Sequence, residues 1–322
     1  MNIHIKMNAK TFGNLASYMG LIVVIVVFNL LTGGALLGLT NLQAMSNQMI
    51  VTALATIGAV FVFGAGFFDM SFGGCVCLSA VIGGLSAIST GSLVVAALAI
   101  LATALVLGLV KGLLAAYVDV PFFIFTIVLS TIISAAVLQI LGSETTIYLK
   151  NAVKEIPAFD FTQMSFVNVI ALLFFFLICV VLFCYTPLGL KLKNMGGNIL
   201  SARQSGIDEK RTTIIVFLIS SLGIAFAAFI ILIRTRTVGS ITASTLGNDV
   251  MVALVLGGMP LSGGSRSKIS AGLIGAATIT ALNSGLTIMG LSTGQIQICR
   301  GIVFVLVVFI SSFSYRNKLL PR

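Results

Sequence analysis

Long apolar runs without a charged residue dominate this chain of 322 residues. A helix needs about 20 apolar residues to cross the roughly 30 Å hydrocarbon core of a bilayer, so each run has room for one or two spans. Short segments of alternating polarity, which are typical of membrane β-strands, are absent. The pattern predicts an all-α fold, a polytopic membrane helix bundle. The charge-free runs are residues 11–68, 70–110, 120–143, 161–190, 212–233 and 269–299.

About ten transmembrane helices fit these runs, all within one transmembrane domain of residues 1–322. Lys6 and Lys10 precede the first apolar run, as basic residues do in a signal peptide. Nine further spans follow that run, so we interpret it as a retained first helix. The spans lie near residues 16–37, 44–66, 70–89, 92–117, 122–141, 164–186, 212–233, 246–259, 269–289 and 296–315, and the eighth is the shortest.

Lysine and arginine in the short loops predict the orientation, because cytoplasmic loops carry an excess of both. With ten helices, the basic N-terminus, the segment 186–213, the turn at 260–268 and the C-terminal tail fall on one side. The more acidic loop at 142–163 falls on the other side. We therefore expect a multi-pass protein with cytoplasmic N- and C-termini. The net charge of +10 follows from this topology, and we expect no nucleic-acid partner.

Arg234 and Arg236, in the segment IRTRTVGS, break this rule because the span count places them outside. Two interpretations stay open. The arginines snorkel at the end of the seventh helix, or they form a cationic docking point for an acidic extracellular partner.

Catalytic and metal chemistry have little support in this chain. The lone histidine, His4, lies in the N-terminal tail, and no cluster of His, Cys and carboxylates has the spacing of a metal site. Residues 258–265 fit the phosphate-loop pattern, except that Gly264 replaces the lysine that reaches the phosphates. We therefore expect no enzyme activity, no metal and no cofactor on this chain, so that any ATP and Mg²⁺ bind to a separate subunit.

Acidic residues near the spans are few, namely Asp69, Asp119 and Asp249, and all three can lie at helix ends. Coupled carriers usually keep ionisable relays inside the bundle, so this count argues against a proton-coupled carrier. Asp69 followed by Ser71 is interpreted as an N-cap of the next helix.

A polar segment, Thr186–Thr213, interrupts the apolar sequence and holds seven charged residues. It lies between two runs that are long enough to span a bilayer. We expect a soluble partner to bind this cytoplasmic segment, whose central part is residues 187–212. The alternative is a solvated loop whose basic residues face the membrane.

Glycine patterns predict close helix packing and broken helices. Small residues such as Gly108 and Gly112, four apart, let membrane helices approach closely. The glycine interruption that begins at Gly64 resembles the one that begins at Gly257. Paired interruptions of this kind are typical of internal repeats whose discontinuous helices line a pathway. An internal repeat of residues 45–141 and 235–315 is the resulting hypothesis.

Three segments together resemble the permease subunit of bacterial ATP-binding-cassette sugar importers, in the branch for ribose, xylose and autoinducer-2. Phe68–Gly74 (FDMSFGG) is similar to the family motif G-I-D-L-S-V-G-S, with Phe67 and Phe68 in place of Gly-Ile. Gly196–Ile207 (GGNILSARQSGI) resembles G-G-N-x-x-A-A-x-x-S-G-I. Asp249–Gly264 (DVMVALVLGGMPLSGG) is similar to D-A-I-A-A-V-V-L-G-G-T-S-L-x-G-G. The match covers roughly residues 45 to 310.

The resemblance implies the partners: a second permease copy in a homodimer or related heterodimer, a cytoplasmic ATPase, an extracytoplasmic solute-binding protein, and the lipid of the bacterial inner membrane. It also implies that a short helix in the polar segment docks in the ATPase. The residues of this segment that are expected to couple to the ATPase are Gly196, Gly197, Asn198, Ala202, Arg203, Ser205 and Gly206. Gly196 and Gly197 are expected to allow a sharp turn, and Asn198 or Ser201 to cap the helix.

Polar residues in or near the spans are candidates for the pathway, although such residues often serve as helix–helix hydrogen bonds. The candidates are Asn47, Asp69, Ser71, Ser130, Gln139, Asn283 and Gln295. The predicted function is passage of a monosaccharide or a similar small polar solute. Uptake of nucleosides or branched-chain amino acids, a stand-alone secondary carrier and a scaffold subunit are the alternatives.

Overall fold

The computed structural model describes residues 9–118, 121–149, 161–260 and 262–316. Within these residues the chain forms twelve α-helices and one two-stranded sheet. The first half contains α1 (Ala9–Leu31), α2 (Leu39–Gly64), α3 (Phe72–Thr90), α4 (Leu93–Tyr117), α5 (Phe122–Leu141), β1 (Thr146–Tyr148) and α6 (Phe161–Val180), which a π-helical turn, Val181–Tyr185, extends. The second half contains α7 (Pro187–Gly197), α8 (Ile199–Gln204), α9 (Glu209–Thr235), β2 (Thr237–Gly239), α10 (Leu246–Leu256), α11 (Ser270–Ile288) and α12 (Thr293–Arg316).

Seven of the described helices are long and apolar enough to cross a membrane, namely α2, α3, α4, α5, α6 with its π-helical turn, α9 and α11. Shorter apolar stretches occur in α1, α10 and α12. The all-α polytopic bundle is confirmed. Several predicted sites lie outside the described residues, among them Lys6, Asp119, residues 150–160 of the acidic loop and the tail beyond Arg316.

The first predicted span, 16–37, is displaced relative to the helix that forms. Helix α1 ends at Leu31 because Gly33 and Gly34 follow with φ of 61° and 90°, which right-handed helices do not accommodate. A short 3₁₀ turn, Ala35–Leu37, then leads into α2. Apolar composition alone did not reveal this turn, because its own residues are hydrophobic.

Helices α2 and α9 cross in the centre of the bundle through two glycines. A Cβ added to Gly58 would lie 2.9 Å from the carbonyl oxygen of Ser220, and one added to Gly223 would lie 2.6 Å from that of Leu54. Gly108 and Gly112 pack α4 against α9 in the same way, as their spacing predicted. Helices α2 and α9 are therefore in backbone contact at Gly58 and Gly223.

Both glycine interruptions noted in the sequence end a helix with the same motif. After α2, the amides of Gly66 and Phe67 donate to the carbonyls of Phe63 and Val62. After α10, the amides of Gly258 and Met259 donate to the carbonyls of Val255 and Leu254 in the same pattern. Gly66 and Gly258 have φ of 91° and 84°, as the C′ residue of a Schellman motif requires. The segment that contains Gly258–Ser265 thus follows a helix, whereas a phosphate loop follows a strand.

Helix α10 has 11 residues, which corresponds to about 16 Å, roughly half of the hydrocarbon thickness. Irregular segments precede and follow it. A helix of this length is too short to cross the membrane alone.

Candidate functional site

A cavity of about 300 Å³ lies between the N-terminal half of α3, one face of α5 and the segment 240–248 that leads into α10. This volume is at the small end of the range for ligand sites. Met70, Gly73, Gly74 and Cys77 form its α3 wall. Ser244, Gly247 and Asn248 belong to the facing wall.

Hydroxyl and amide groups dominate the polar lining of this cavity, and none of the described lining residues carries a charge. Such groups both donate and accept hydrogen bonds. The cavity is therefore suited to a neutral solute rich in hydroxyls. Its polar lining residues are Ser130, Thr131, Ser134, Ser240, Thr242, Ser244 and Asn248.

The two walls touch beside the cavity through glycines. A Cβ on Gly73 would lie 2.6 Å from the carbonyl oxygen of Ala243, and one on Gly247 would lie 2.7 Å from that of Met70. The contact is reciprocal, so the start of α3 meets the start of α10 backbone to backbone. No larger residue fits at either position without moving the walls apart.

A buried ion pair stands behind the α3 wall. Lys111 Nζ, on α4, lies 2.7 Å from Asp69 Oδ2, and both side chains are almost completely buried. The other carboxylate oxygen of Asp69 accepts from the amide of Ser71 at 2.8 Å and from its hydroxyl at 2.6 Å. Asp69 thus lies three residues before the first residue of α3, and its carboxylate joins the amide of the N-cap residue to a lysine on another helix. Ser71 itself occupies the N-cap position, without a capping side-chain bond.

A second ion pair stands behind the α10 wall. Arg300, on α12, pairs with Asp249 and also donates from Nε to the side-chain oxygen of Asn283 at 2.6 Å. The hydroxyl of Thr245 donates to the other oxygen of Asp249 at 3.1 Å. Each wall of the cavity is therefore attached to an outer helix through a carboxylate.

Among the predicted pathway residues, the structure places Ser130 in the cavity lining. Asp69 and Ser71 lie behind the wall, and Asn283 belongs to the Arg300 cluster. The remaining three lie elsewhere and do not belong to the cavity lining. Asn47 accepts from Asn168, Gln139 is exposed on α5, and Gln295 accepts from Ser292 at the start of α12.

Lys111 and Arg300 are the residues that the sequence reasoning missed. Both are charged residues inside predicted spans, which is in itself a signal of function. The serines and threonines of the cavity also carried a signal, because Ser130 and Ser134 lie one helical turn apart on α5. Their partners across the cavity are over 100 positions away in the sequence, so only the fold brings them together.

The polar segment 186–213 folds into α7, α8 and the start of α9. Gly196 and Gly197 end α7 directly before α8 begins, and neither adopts a positive φ. Gly196 instead permits a close approach, because a Cβ there would collide with the carbonyl of Gly64 and the amide of Gly264. The amide of Gly264 itself donates to the carbonyl of Gly64 at 3.0 Å. Helix α7 thus packs against both the end of α2 and the turn that follows α10.

Helix α8 is the short helix expected in this segment. Asn198 is its N-cap and accepts from the amides of Leu200 and Ser201 at 3.0 and 3.1 Å. Gly206, with φ of 76°, follows its C-terminus. The helix buries Ala202 and leaves Leu200 64% exposed. An exposed leucine on a short, well-capped helix offers an apolar contact to a partner.

The predicted docking arginines lie at the other end of α9. Arg234 donates from Nη1 to the carbonyl of Asn47 at 2.6 Å and is half-buried. Arg236 adopts φ of 53° and leads into β2, which pairs antiparallel with β1. The structure thus brings the arginines and the start of the acidic loop together. Their role in docking stays a prediction.

Comparison with known proteins supports a transport role. Residues 41–311 match the family described as "Branched-chain amino acid transport system / permease component". The chain is 28% identical to the ribose import permease protein of Bacillus subtilis, over 92% of each chain. It is 27% identical to a xylose transport system permease protein of Haemophilus influenzae (93% of this chain, 96% of the relative). It is 25% identical to the galactose/methyl galactoside import permease protein of Escherichia coli (97% and 99%).

Proposed function

Because the chain belongs to this family of transport permease components, we propose that it is the transmembrane subunit of an ATP-driven importer and forms the pathway for a monosaccharide or a similar neutral polyol. The observation that carries the proposal is the uncharged, hydroxyl-rich lining of the cavity between α3, α5 and the segment before α10. The names of the three relatives, all sugar permeases, agree with that chemistry.

The cavity chemistry favours a sugar over an amino acid. An amino acid carries a carboxylate and an ammonium group, and both need partners when they leave water. The acidic and basic side chains nearest to the walls are already paired, Asp69 with Lys111 and Asp249 with Arg300. Neutral hydroxyls of a solute match the uncharged hydroxyls and amides of the lining directly.

Helix α8 is the proposed contact with a cytoplasmic ATPase, which binds the ATP and Mg²⁺. The geometry that supports this is the capped helix with its exposed Leu200, followed directly by α9. The side chain of Arg203 also pairs with Glu209 in the first turn of α9. A force on α8 therefore reaches α9, the helix at the centre of the bundle.

The opposite end of the bundle is the proposed contact with a solute-binding protein. There Arg234 and Arg236 lie close to the two-stranded sheet, with Tyr148 and Ile241 exposed beside it. In this proposal α1, α10 and α12 join the seven long helices to give about ten membrane elements. Both termini then lie in the cytoplasm of a bacterium, in its inner membrane, and a second permease copy completes the pathway.

An internal repeat is supported by reciprocal contacts. Helix α2 crosses α9 through Gly58 and Gly223, and α3 meets α10 through Gly73 and Gly247. We propose that α2–α5 and α9–α12 are the two halves. These halves pair α2 with α9 and α3 with α10. This register differs from that of the sequence hypothesis of residues 45–141 and 235–315, in which the end of α2 corresponds to the end of α10.

Reconstitution in proteoliposomes tests the function. The chain is combined with the ATPase and the solute-binding protein encoded by neighbouring genes, and uptake of labelled ribose, xylose, galactose and leucine is measured. We expect ATP-dependent uptake of a monosaccharide and none of leucine. Replacement of residues 196–206 by a flexible Gly/Ser linker is expected to abolish the ATP-dependent uptake of the monosaccharide. Uptake without any ATPase would instead establish the secondary-carrier alternative, and no uptake of any solute would favour a scaffold.

A further inference from the structure

One fully buried and one partly buried ion pair attach the two walls of the cavity to different outer helices. We propose that Lys111 is a positioning residue that makes the α3 wall move together with α4 and α9, while Arg300 holds the α10 wall to α11 and α12. ATPase motion then separates the walls at the contact of Gly73 with Gly247. This inference rests on the proposed transport function and concerns how movement reaches the solute.

The irregular stretch that begins the α3 wall is held to α4 by one side chain. Between the end of α2 and the start of α3 the chain is irregular, and Met70 in this stretch lines the cavity. Its neighbours on both sides, Asp69 and Ser71, are completely buried and both bond to Lys111 Nζ, at 2.7 and 3.3 Å. The ammonium group also lies 5.2 Å from the ring centroid of Phe72, the first residue of α3. A single side chain therefore fixes the wall residue and the helix start together.

From α4 a closely packed path leads to the polar segment. The missing side chains of Gly108 and Gly112 let α4 approach Ser221 and Ile214 of α9. Helix α9 begins at Glu209, which pairs with Arg203 of α8. Movement of α8 thus reaches Met70 through one pair of packed helices and two ion pairs.

The facing wall belongs to a different group of helices. Asp249 follows the lining residue Asn248, and Arg300 links it to α12 and, through Asn283, to α11. Across the cavity the walls touch through backbone atoms of Ala243, Met70 and the two glycines. No ion pair between described residues joins the two walls across this contact. The two walls are therefore held together at this contact by packing alone.

The ion pair of Asp69 with Lys111 can be removed while the hydrogen bonds from Ser71 to residue 69 remain. When Asp69→Asn is combined with Lys111→Met, the new amide oxygen still accepts from the amide and hydroxyl of Ser71, and the methionine side chain fills the space of the lysine stem. Removal of both charges avoids the unpaired buried charge that a single substitution leaves. Lys111→Arg keeps the pair, and Ser79→Ala removes a buried hydroxyl of α3 that lacks a hydrogen-bond partner.

The experiment measures the sugar transported per ATP hydrolysed and the alkylation of Cys77, which lines the cavity and is 5% exposed. It uses the reconstituted complex with Cys184 and Cys299 replaced by serine, with and without ATP plus vanadate. In the unsubstituted protein and in the two control variants, ATP is expected to change the alkylation rate. In the double variant, which combines Asp69→Asn with Lys111→Met, that change is lost, and sugar per ATP falls about fivefold or more.

A double variant that transports with an unchanged sugar-to-ATP ratio overturns the proposal, as does an alkylation rate that still responds to ATP. A decrease in transport that is merely proportional to a decrease in folded protein also contradicts the proposal. If the double variant does not assemble, Met70→Cys and Ser244→Cys in a background without the native cysteines measure wall separation directly. A cross-linking yield between them that ATP leaves unchanged contradicts the inference. Failure of the proposed function is recognised separately, because the unsubstituted complex then shows no ATP-driven sugar uptake.

Discussion

At the scale of single residues, glycine has two distinct roles in this protein. Gly66, Gly206 and Gly258 end helices in a left-handed conformation that other residues adopt with strain. Gly58 and Gly223 have ordinary helical conformations and are required because another backbone lies against them. The sequence shows both groups only as glycines, so their roles become distinct once the packing is known.

Substitution of Gly223 by alanine tests the second role. The added Cβ would lie 2.6 Å from the carbonyl oxygen of Leu54 and 3.2 Å from the Cα of Gly58, both backbone atoms. Because α2 and α9 must move apart, we expect a loss of about 1–3 kcal/mol, typical of overpacking. Thermal unfolding of the purified protein in detergent measures this loss.

Gly301→Ala is the matched control, since nothing lies within 4 Å of a Cβ at that position of α12. Alanine favours a helix over glycine, so this variant is expected to keep or slightly raise the melting temperature. Equal destabilisation by both substitutions would contradict the crossing described for α2 and α9.

The pairing of the buried charged residues could not be predicted from the sequence. Lys111 is visible in the sequence as a charge within an apolar span, and Asp69 as an acid near a glycine interruption. That they pair depends on α4 folding back beside the irregular stretch before α3, a contact 42 positions apart. Periodicity gives no register for this contact, because α4 is apolar on every face.

At the scale of elements, most helices lie where hydrophobic runs predicted them. The predicted spans 92–117 and 122–141 differ by at most one residue from α4 and α5. The elements of the polar segment were harder to place, because α7 and α8 are short and α7 is stabilised by contacts with α2. The short helix α8 was expected from the resemblance of its residues to the sugar-permease motif, and the structure shows how it is capped.

Loss of the Asn198 cap tests whether α8 acts as a preformed element. Asn198→Ala removes two hydrogen bonds from a helix of six residues, at a cost of about 1 kcal/mol. We expect stimulation of the ATPase by the loaded binding protein to weaken several-fold, because the frayed helix must be ordered again on docking.

Asn198→Ser retains a capping oxygen and is expected to restore most of the stimulation. Thermal stability of the isolated chain should change little in either variant, since the side chain of Asn198 is exposed. Unchanged stimulation of the ATPase in Asn198→Ala would mean that its docking does not depend on a folded α8.

At the scale of the whole molecule, α9 relates the two proposed contact surfaces, because α8 precedes its first residue and β2 follows its last. Its 27 residues correspond to about 40 Å, enough to cross the membrane completely. The sequence predicted this opposition from the count of spans, which places Arg234 and Arg236 on the side opposite to the polar segment. It did not predict the pairing of β1 with β2, since each strand has only three residues.

Cysteine labelling tests the proposed orientation. With the native cysteines replaced, a cysteine at Ser201 of α8 should react with a membrane-impermeant thiol reagent only after the cells are permeabilised. A cysteine at Ile241, which is 81% exposed beside the sheet, should react in intact spheroplasts. The reverse pattern would overturn the orientation, and labelling of both in intact cells would contradict a crossing by α9.

The contact between the starts of α3 and α10 has a consequence for how such a protein diversifies. It is made by backbone atoms and two glycines, whereas hydroxyl-bearing side chains on α5 and before α10 face the cavity. In the proposed function, the hydroxyl groups that meet the solute belong to other residues than the glycines at this contact. We expect exchanges among Ser130, Thr131, Ser134 and Thr242 to alter selectivity without changing the contact between the walls, so that related permeases can take different solutes.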